Sequence, residues 1–428
     1  MDKVIEGKAF VNNEIQHVCI GISNGKITQI KKTLRGDEHI KVNRGLLLPA
    51  GVDVHVHFRD PGQTHKEDFY TGSLSAVFGG TTCVFDMPNT LPAVVSESTI
   101  KDKHDIVSKK SVIDYGLGLG ITSKNYEEVA KLSRFCQGFK IFLGSSTNAL
   151  VLPSEKLSVV FQLLKDCNKP VFVHAEDEQC LKQYSTIEKS LKDHVSSRPA
   201  ECELRSIKHV LFASQQSKVN IHICHVSSGE GTELIKKHPL HVSAGVTPHH
   251  ILLHAMEKKS VDASFLKVNP PLRTLFDQQI IFQELLQNVF PIVESDHAPH
   301  TVDEKYQEFS LAACGIPGVE TRVPLMLGLV QQGACTLAQV LSWCCKQPGE
   351  LLGVSKGVLA EGMDTDLIVV DMKESKKIKA EKLHSKCGWT PFDGWNAVFP
   401  SMVLLRGNVL IEHNEFIGRP GCGCLYGE

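Results

Sequence analysis

Two histidines separated by one residue, His55 and His57 in VDVHVHFRD, are the first residues whose types and spacing could perform chemistry. They end an apolar, β-forming run, and residues i and i+2 of a strand point to the same face of a sheet. Two imidazoles on one face can start a metal site, although a single H-x-H pair is more often structural. Four further candidate ligands follow later apolar runs in the same way: Lys140 in FKIFLG, His174 in VFVHAED, His225 in IHICHVSS and Asp296 in VESDHAPH.

Nitrogen and oxygen ligands of this kind are typical of zinc, and a catalytic zinc keeps one position open for water. Lys140 is the exception, because an ammonium group cannot bind a cation. If its amine captured carbon dioxide, the resulting carbamate could bridge two metals, but a structural or surface lysine is an equally good interpretation of the sequence. With the carbamate, the two metals would be held by His55, His57, Lys140 and Asp296, and by Lys140, His174 and His225.

Two zinc ions that share such a bridge would lower the pKa of a water between them and polarise a carbonyl group. Asp296 could be a ligand and the general base at once, because it could take the proton of that water and deliver it to a leaving nitrogen. The expected chemistry is hydrolysis of an amide, or its reverse.

Four polar residues close to these runs could bind an anionic substrate. Arg59 follows the H-x-H pair, and its planar guanidinium can bind a carboxylate through two hydrogen bonds. Asn89 in DMPNT and His300 in SDHAPH would face the same cavity, and Asn269 in KVNPPLR could hydrogen-bond a ring. Taken singly, Asn89, Asn269 and His300 are as readily turn or loop residues.

The apolar runs alternate with helical stretches from about residue 51 onward. The predicted strands are 52–58, 82–87, 112–118, 138–142, 170–174, 219–225, 241–246 and 292–296. Eight such units predict an α/β fold with a (β/α)8 TIM-like barrel, whose active site lies at the C-terminal ends of the strands. The candidate ligands fall at the ends of predicted strands 1, 4, 5, 6 and 8.

Short strand-like runs occupy both ends of the chain. The first 50 residues contain the hairpin signal Asn24-Gly25 between two alternating runs. After helical stretches near 319–331 and 336–348, the text GVLAEGMDTDLIVVDM and SMVLLRGNVLIEHNEF is again strand-like. We therefore expect a barrel at residues 51–350 and a small β-domain formed by residues 1–50 and 351–428.

Composition argues against several classes of protein. The chain of 428 residues is 42% hydrophobic, has a net charge of −2 and contains no apolar run long enough to span a membrane. We expect a small-molecule substrate, no nucleic-acid or membrane partner and, because MDKVIEGKAFVN does not read as a secretory signal, a cytoplasmic location. The 14 cysteines are scattered, which predicts that most are reduced, buried thiols and that there is no disulfide framework.

Seven motifs together resemble the dihydroorotases, which are cyclic amidohydrolases of the amidohydrolase superfamily. These motifs are DVHVHFRDPGQTHKEDFYTGSLSAVFGGTT, MPNT, FKIFLGSST, VHAED, ICHVSS, NPPLR and SDHAPH. With the tail text SKCGWTPFDG, the resemblance covers nearly the whole chain. The sequence differs in a substrate loop, where GSSTNALVL stands in place of the GSSTGNMLV of some dihydroorotases.

The resemblance implies reversible, zinc-dependent ring closure of N-carbamoyl-L-aspartate to (S)-dihydroorotate with loss of water, the third step of pyrimidine biosynthesis. It implies zinc held by the six candidate ligands with Lys140 carboxylated; we expect two ions per chain, although one-zinc and two-zinc sites share most of these ligands. Arg59, Asn89 and His300 match positions that bind the substrate carboxylate, and Asn269 matches a ring contact. We also expect a homo-oligomer, and association with aspartate transcarbamoylase, as in some relatives, is a further hypothesis.

Two alternatives come from the same superfamily. Allantoinases and dihydropyrimidinases, the hydantoinase-type enzymes, share the ligand set and open similar rings. Arg59 favours dihydroorotase, because its buried guanidinium would lack a carboxylate partner on allantoin or dihydrouracil. Other members have lost their ligands and serve as scaffolds, but all six ligand positions are intact in this sequence, which favours an enzyme.

Overall fold

The computed structural model describes residues 1–145, 150–237, 241–256 and 262–427. Residues 146–149, within the predicted substrate loop GSSTNALVL, lie outside this range. The chain begins with five strands: β1 (Lys3–Val11), β2 (Glu14–Ser23), β3 (Lys26–Lys31), β4 (Glu38–Lys41) and β5 (Leu46–Pro49). Asn24 and Gly25 connect β2 to β3 with φ angles of 52° and 74°, the left-handed backbone of a two-residue hairpin turn. The predicted hairpin is therefore confirmed.

The next eight strands of the described chain form a parallel sheet that follows chain order. They are β6 (Gly51–Val56), β7 (Thr81–Asp86), β8 (Asp114–Ile121), β9 (Gly138–Phe142), β10 (Val171–His174), β11 (Ile221–Ile223), β12 (Val242–Val246) and β13 (Ile292–Val293). A parallel bridge between Val56 and His297 brings the last strand back to the first. The sheet thus curls into the (β/α)8 barrel that the sequence predicts.

A buried ion pair helps to join the first and last barrel strands. Asp53 of β6 and Arg322 are both fully buried, and Asp53 Oδ2 lies 3.3 Å from Arg322 Nε. Asp53 Oδ1 accepts the backbone N–H of Ser295 at 3.1 Å, and Arg322 Nη1 donates to the carbonyl of Val293 at 2.9 Å. Each charge therefore also satisfies a backbone group across the closure, as a buried ion pair requires.

Helices cover the outside of the barrel. They are α1 (Phe69–Phe78), α2 (Glu97–Val107), α3 (Val129–Leu132), α4 (Leu157–Leu164), α5 (Glu178–Tyr184), α6 (Leu191–Ser197), α7 (Ala200–Ser214), α8 (Gly229–Ile235), α9 (Pro248–Leu252), α10 (Leu275–Leu286), α11 (Val302–Lys305), α12 (Arg322–Gln331), α13 (Leu337–Leu341) and α14 (Gln347–Leu352). Side-chain caps begin many of them, for example Asp68 at α1 and Ser96 at α2. A π-helical turn, Ser342–Lys346, joins α13 to α14.

Four of the six C-terminal strands return to the first sheet, whereas β15 and β16 form a separate two-stranded sheet. They are β14 (Leu367–Val370), β15 (Lys376–Lys377), β16 (Asn396–Ala397), β17 (Met402–Leu405), β18 (Asn408–Glu412) and β19 (Glu415–Phe416). In the described residues the sheet runs β19-β18-β17-β14-β5-β1-β2-β3, with β4 beside β1. Both chain ends therefore build one β-sheet, as predicted. Residues 376–397 leave it and pack Trp389 and Phe392 with Val268 and Leu272, next to the barrel.

One cysteine pair departs from the expectation of reduced thiols. Cys180 of α5 and Cys202 of α7 form a disulfide, with Cα atoms 5.3 Å apart. The two residues are 22 positions apart in sequence, and only the packing of α5 against α7 brings them together. Spacing alone carries no signal of that packing, so the sequence did not identify this pair. No helix of the described chain is long and apolar enough to cross a membrane.

Candidate metal centre and adjoining cavity

The six predicted ligands lie at the C-terminal end of the barrel. His55 lies in β6, Lys140 in β9, and His174 is the last residue of β10. The other three, His57, His225 and Asp296, lie in the segments that directly follow β6, β11 and β13. The predicted strands 52–58, 219–225 and 292–296 are therefore too long, because the chain leaves the sheet before these residues. All six side chains are buried and line one cavity.

Three of these residues form a compact group of metal-binding type. Asp296 Oδ1 lies 3.3 Å from His55 Nε2 and 3.1 Å from His57 Nε2. Ligands held about 2.0–2.1 Å from a tetrahedral zinc are about 3.3 Å from one another. The group made by His55, His57 and Asp296 has that spacing, so it fits a zinc ion.

A second pair of histidines lies beside the first group. His174 Nδ1 is 3.2 Å from His225 Nε2, and the ring centres of His225 and His55 are 5.2 Å apart. Lys140 is fully buried, and its amine lies 3.4 Å from His55 Nε2. Among the described residues this amine forms no ion pair with a carboxylate. A buried lysine without a counterion and beside two histidines fits the chemistry of a second metal bridged through a modified amine.

Burial keeps the four site histidines neutral, with a lone pair free to bind a metal. It lowers the pKa of His55 and His225 far below the ordinary value. It also lowers the pKa of His57 and His174, against the opposing effect of a nearby carboxylate. Burial raises the pKa of Asp296, but the hydrogen bond with His57 and the nearby Lys140 outweigh this and leave the pKa below its usual value. The site therefore presents neutral imidazoles and an ionised carboxylate.

Two polar side chains orient the histidines from behind. His174 Nε2 lies 2.8 Å from Glu176 Oε2, and Arg198 pairs with the same carboxylate at 2.5 Å. His57 Nδ1 lies 2.6 Å from Asn89 Oδ1, which accepts its N–H. Such contacts fix which nitrogen of each ring faces the metal. Glu176 and Arg198 are absent from the sequence prediction, and only the spacing of His174 and Glu176 in VHAED could have suggested one of them.

A cavity of about 510 Å³ adjoins the metal-binding groups and is lined by all four predicted substrate residues. Arg59 is 7% exposed, donates to the carbonyl of Pro299 at 3.2 Å and has no carboxylate ion-pair partner among the described residues. Burial lowers its pKa to about 10, so it remains charged. His300 Nε2 lies 3.2 Å from the Arg59 guanidinium. The buried Oδ1 of Asn269 also lacks a hydrogen-bond partner in the described structure.

His300 is held by residues from several parts of the chain. Its Nδ1 lies 3.2 Å from the Lys66 amine, and Lys66 pairs with Glu304 at 2.9 Å. Burial lowers the pKa of His300 to about 3, although Glu304 opposes the shift. The indole N–H of Trp389 donates to the carbonyl of His300 at 2.8 Å. Lys66, Glu304 and Trp389 were not predicted, because each acts through a tertiary contact.

Three site residues have a left-handed backbone without being glycine. The φ angles are 61° at Arg59, 38° at His225 and 44° at Asp296. Each such residue costs about 1–3 kcal/mol and persists only where the surrounding structure imposes it, most often at functional sites. A residue with a left-handed backbone cannot continue an extended strand, so these three residues lie after the strand ends.

Comparisons with known proteins agree with this geometry. Residues 46–410 match the model of the amidohydrolase family. The chain is 38% identical to the dihydroorotase of Thermoplasma acidophilum, over 98% of this chain and 97% of that one, and 38% identical to the dihydroorotase of Pyrococcus abyssi, with the same coverage. The fold resembles the solved L-hydantoinase (dihydropyrimidinase) of Arthrobacter aurescens, with a TM-score of 0.92 and 25% identity over 99% of this chain and 98% of that one.

Proposed function

The chain belongs to the amidohydrolase family, and from that premise we propose that it is an enzyme that interconverts N-carbamoyl-L-aspartate and (S)-dihydroorotate in pyrimidine biosynthesis. The observation that carries the proposal is Arg59, a buried guanidinium without a carboxylate partner in the described residues, beside a group of zinc-binding type. A substrate carboxylate would supply the missing charge. The dihydroorotases that resemble this chain at 33–38% identity support the same reaction.

We propose two zinc ions per chain as the cofactor. His55, His57, Asp296 and carboxylated Lys140 would hold one, and Lys140, His174 and His225 the other. Bound there, zinc would acidify a water and polarise the carbonyl under attack. The support is the donor set itself, which combines neutral imidazoles, one carboxylate and a buried amine without a counterion in the described chain.

In our proposal the protein's own residues bind the substrate and move its protons. Arg59 and His300 bind the ring carboxylate, and the amide nitrogen of Asn89 does so while its oxygen holds His57. The unpartnered Asn269 amide hydrogen-bonds the ring. Asp296 takes a proton from the attacking water and gives it to the leaving ring nitrogen during hydrolysis, and ring closure reverses these transfers.

A hydantoinase or dihydropyrimidinase activity is the second candidate, and the fold likeness to such enzymes favours it. The neutral rings of those substrates would leave Arg59 buried without a partner, which disfavours them. A homo-oligomer, association with aspartate transcarbamoylase, a cytoplasmic location, and a barrel at 51–350 with a small domain from 1–50 and 351–428 stay predictions.

The test compares hydrolysis of L-dihydroorotate, allantoin and dihydrouracil at equal concentrations by protein purified with zinc and bicarbonate. We expect dihydroorotate to be preferred and activity to disappear with a chelator. In Arg59→Met the KM for dihydroorotate should rise about 10–100-fold, the value of a charged hydrogen-bond pair, while zinc content stays at the wild-type level. Preference for a neutral ring would move the protein to the second candidate, whereas an unchanged KM would remove Arg59 from the substrate pocket.

A further inference from the structure

A buried carboxylate that the proposed chemistry does not use lies directly beneath the metal-binding groups. Glu294, next to β13, is fully buried, and its Oε1 accepts the backbone N–H of His225 at 2.5 Å. Its Oε2 lies 3.4 Å from His55 Nδ1 and 3.3 Å from His222 Nε2. In the described part of the chain, no lysine or arginine forms an ion pair with Glu294. One carboxylate thus contacts a residue from each half of the proposed metal centre.

Two imidazoles from different strands face the same oxygen of Glu294. The Nε2 of His222, in β11, faces it, while the Nδ1 of His222 lies 2.9 Å from the hydroxyl of Ser243. The Nδ1 of His55 faces the same oxygen, while its Nε2 faces Asp296. A carboxylate at this place favours the form of His55 that has its hydrogen on Nδ1 and its lone pair on Nε2, the atom directed at the metal-binding group.

Gly245 of β12 makes room for this arrangement. A Cβ atom at Gly245 would lie 2.8 Å from both Glu294 Oε1 and His222 Nε2, closer than real contacts allow. A glycine at this position therefore lets the carboxylate and the imidazole share the barrel interior. The absence of a side chain at Gly245 leaves room for Glu294 and His222, which argues that these two polar residues have a role beyond filling the core.

We propose that Glu294 is a positioning residue for the metal centre: it fixes the ring of His55 and the backbone of His225, and so aligns one ligand of each proposed zinc. The proposal rests on the zinc centre proposed above. A carboxylate behind a ligating imidazole orients the ring and strengthens its donor nitrogen, and loss of such a partner typically weakens metal binding about 10–100-fold. The same placement would explain why a charged side chain is kept inside the barrel, where an unpaired one would be costly.

The first test is Glu294→Gln, which keeps the size of the side chain but replaces the carboxylate that faces His55 and His222 with a neutral amide. The control is Glu284→Gln, the same chemical change in α10, where Glu284 pairs with Lys236 on the outside of the barrel. Zinc affinity is measured by competition with a coloured chelator, and thermal unfolding is followed with and without zinc. We expect Glu294→Gln to bind zinc about 10–100-fold more weakly, with a smaller zinc-induced rise in Tm and a metal-free Tm close to that of the wild type.

Wild-type zinc affinity in Glu294→Gln, with an unchanged zinc-induced shift, would overturn the proposal. If that variant does not fold, Gly245→Ala applies the same test, because the added methyl displaces Glu294 without removing it; unchanged zinc affinity there would equally overturn it. Since affinity is read without substrate, the outcomes separate the two proposals. A wild-type protein that binds no zinc refutes the metal centre and this inference together, whereas tight binding by wild type and variants refutes the inference alone.

Discussion

A lysine is buried at each end of the barrel, and the two differ in whether carboxylates of the protein pair with the amine. Lys140, at the C-terminal end, forms no ion pair with a carboxylate in the described chain. Lys356, at the N-terminal end, lies 2.8, 3.3 and 2.7 Å from carboxylates of Asp114, Asp364 and Asp366. Burial lowers the pKa of Lys356, but these carboxylates outweigh it and raise the pKa well above the usual value. A buried lysine that pairs with carboxylates of the protein itself, as Lys356 does, indicates a structural role. The unpaired amine of Lys140 leaves room for ions and substrate at the C-terminal end.

We expect the largest difference in activity between variants of two aspartates, Asp296 at the C-terminal end of the barrel and Asp366 at the N-terminal end. Asp296→Ala removes a proposed ligand and the general base together, so kcat should fall about 10⁴-fold while the fold is retained. Asp366→Ala removes one partner of Lys356 and should lower the free energy of unfolding but leave kcat per folded molecule unchanged. Turnover and urea unfolding measured on both variants check this. Normal turnover in Asp296→Ala would contradict its role.

Lys140→Ala should lower activity by on the order of 10³-fold, because the proposed bridge between the metals is lost. Short carboxylic acids added to the assay should restore part of the activity, since their oxygens can stand in for the carbamate. Zinc content and turnover with and without acetate or propionate are the measurements. Full zinc content together with full activity in this variant would refute the bridge.

Lys356→Met should destabilise the protein by about 3–5 kcal/mol, because it leaves the buried carboxylate of Asp366 without its counterion. Urea unfolding of the metal-free protein measures the loss, and turnover of the folded fraction should match that of the wild type. Lys140→Ala is the matched variant, and we expect its metal-free stability to change far less. Equal losses in the two variants would remove the distinction between the two ends.

The smallest expected effect is a pH dependence of stability at the catalytic end. Burial lowers the pKa of His250 to about 4 and of His300 to about 3, against 6.5 for an ordinary histidine. Below about pH 6.5 these histidines bind protons in the unfolded chain but stay neutral in the folded chain. Each of them therefore lowers the free energy of unfolding as the pH falls. Between pH 7 and pH 5 the loss should be about 1–2 kcal/mol for each. His250→Gln should flatten the pH profile of urea unfolding, and an identical slope would contradict this.

The barrel was predictable because its signals are local. Apolar runs alternate with helical stretches along the barrel. In the first sheet, Asn24-Gly25 predicts the hairpin between β2 and β3 by residue type alone. That the six predicted ligands converge could be predicted, because parallel strands bring their C-terminal ends to one edge. Strand ends were less accurate, since the left-handed backbone at His225 and Asp296 is a tertiary constraint without a sequence signature.

Contacts between distant segments could not be predicted. Arg198 reaches Glu176 from another element, and Cys180 meets Cys202 only because two helices pack together. In the sequence, Glu294 is an ordinary polar residue close to Asp296, and only the folded barrel shows that it faces His55. Side chains that hold other side chains in place thus depend on the fold being known first.

The hydrogen bond from Trp389 to the carbonyl of His300 spans 89 residues of sequence. A ribosome therefore delivers every proposed zinc ligand before it delivers the indole that supports this wall of the cavity. A nascent chain that has emerged only through α14 would carry the ligands without this support. A chain cut short by a premature stop codon at that point would also lack Lys356 and β14, the strand that pairs with β5, so we expect it to be unstable as well as without this wall of the cavity.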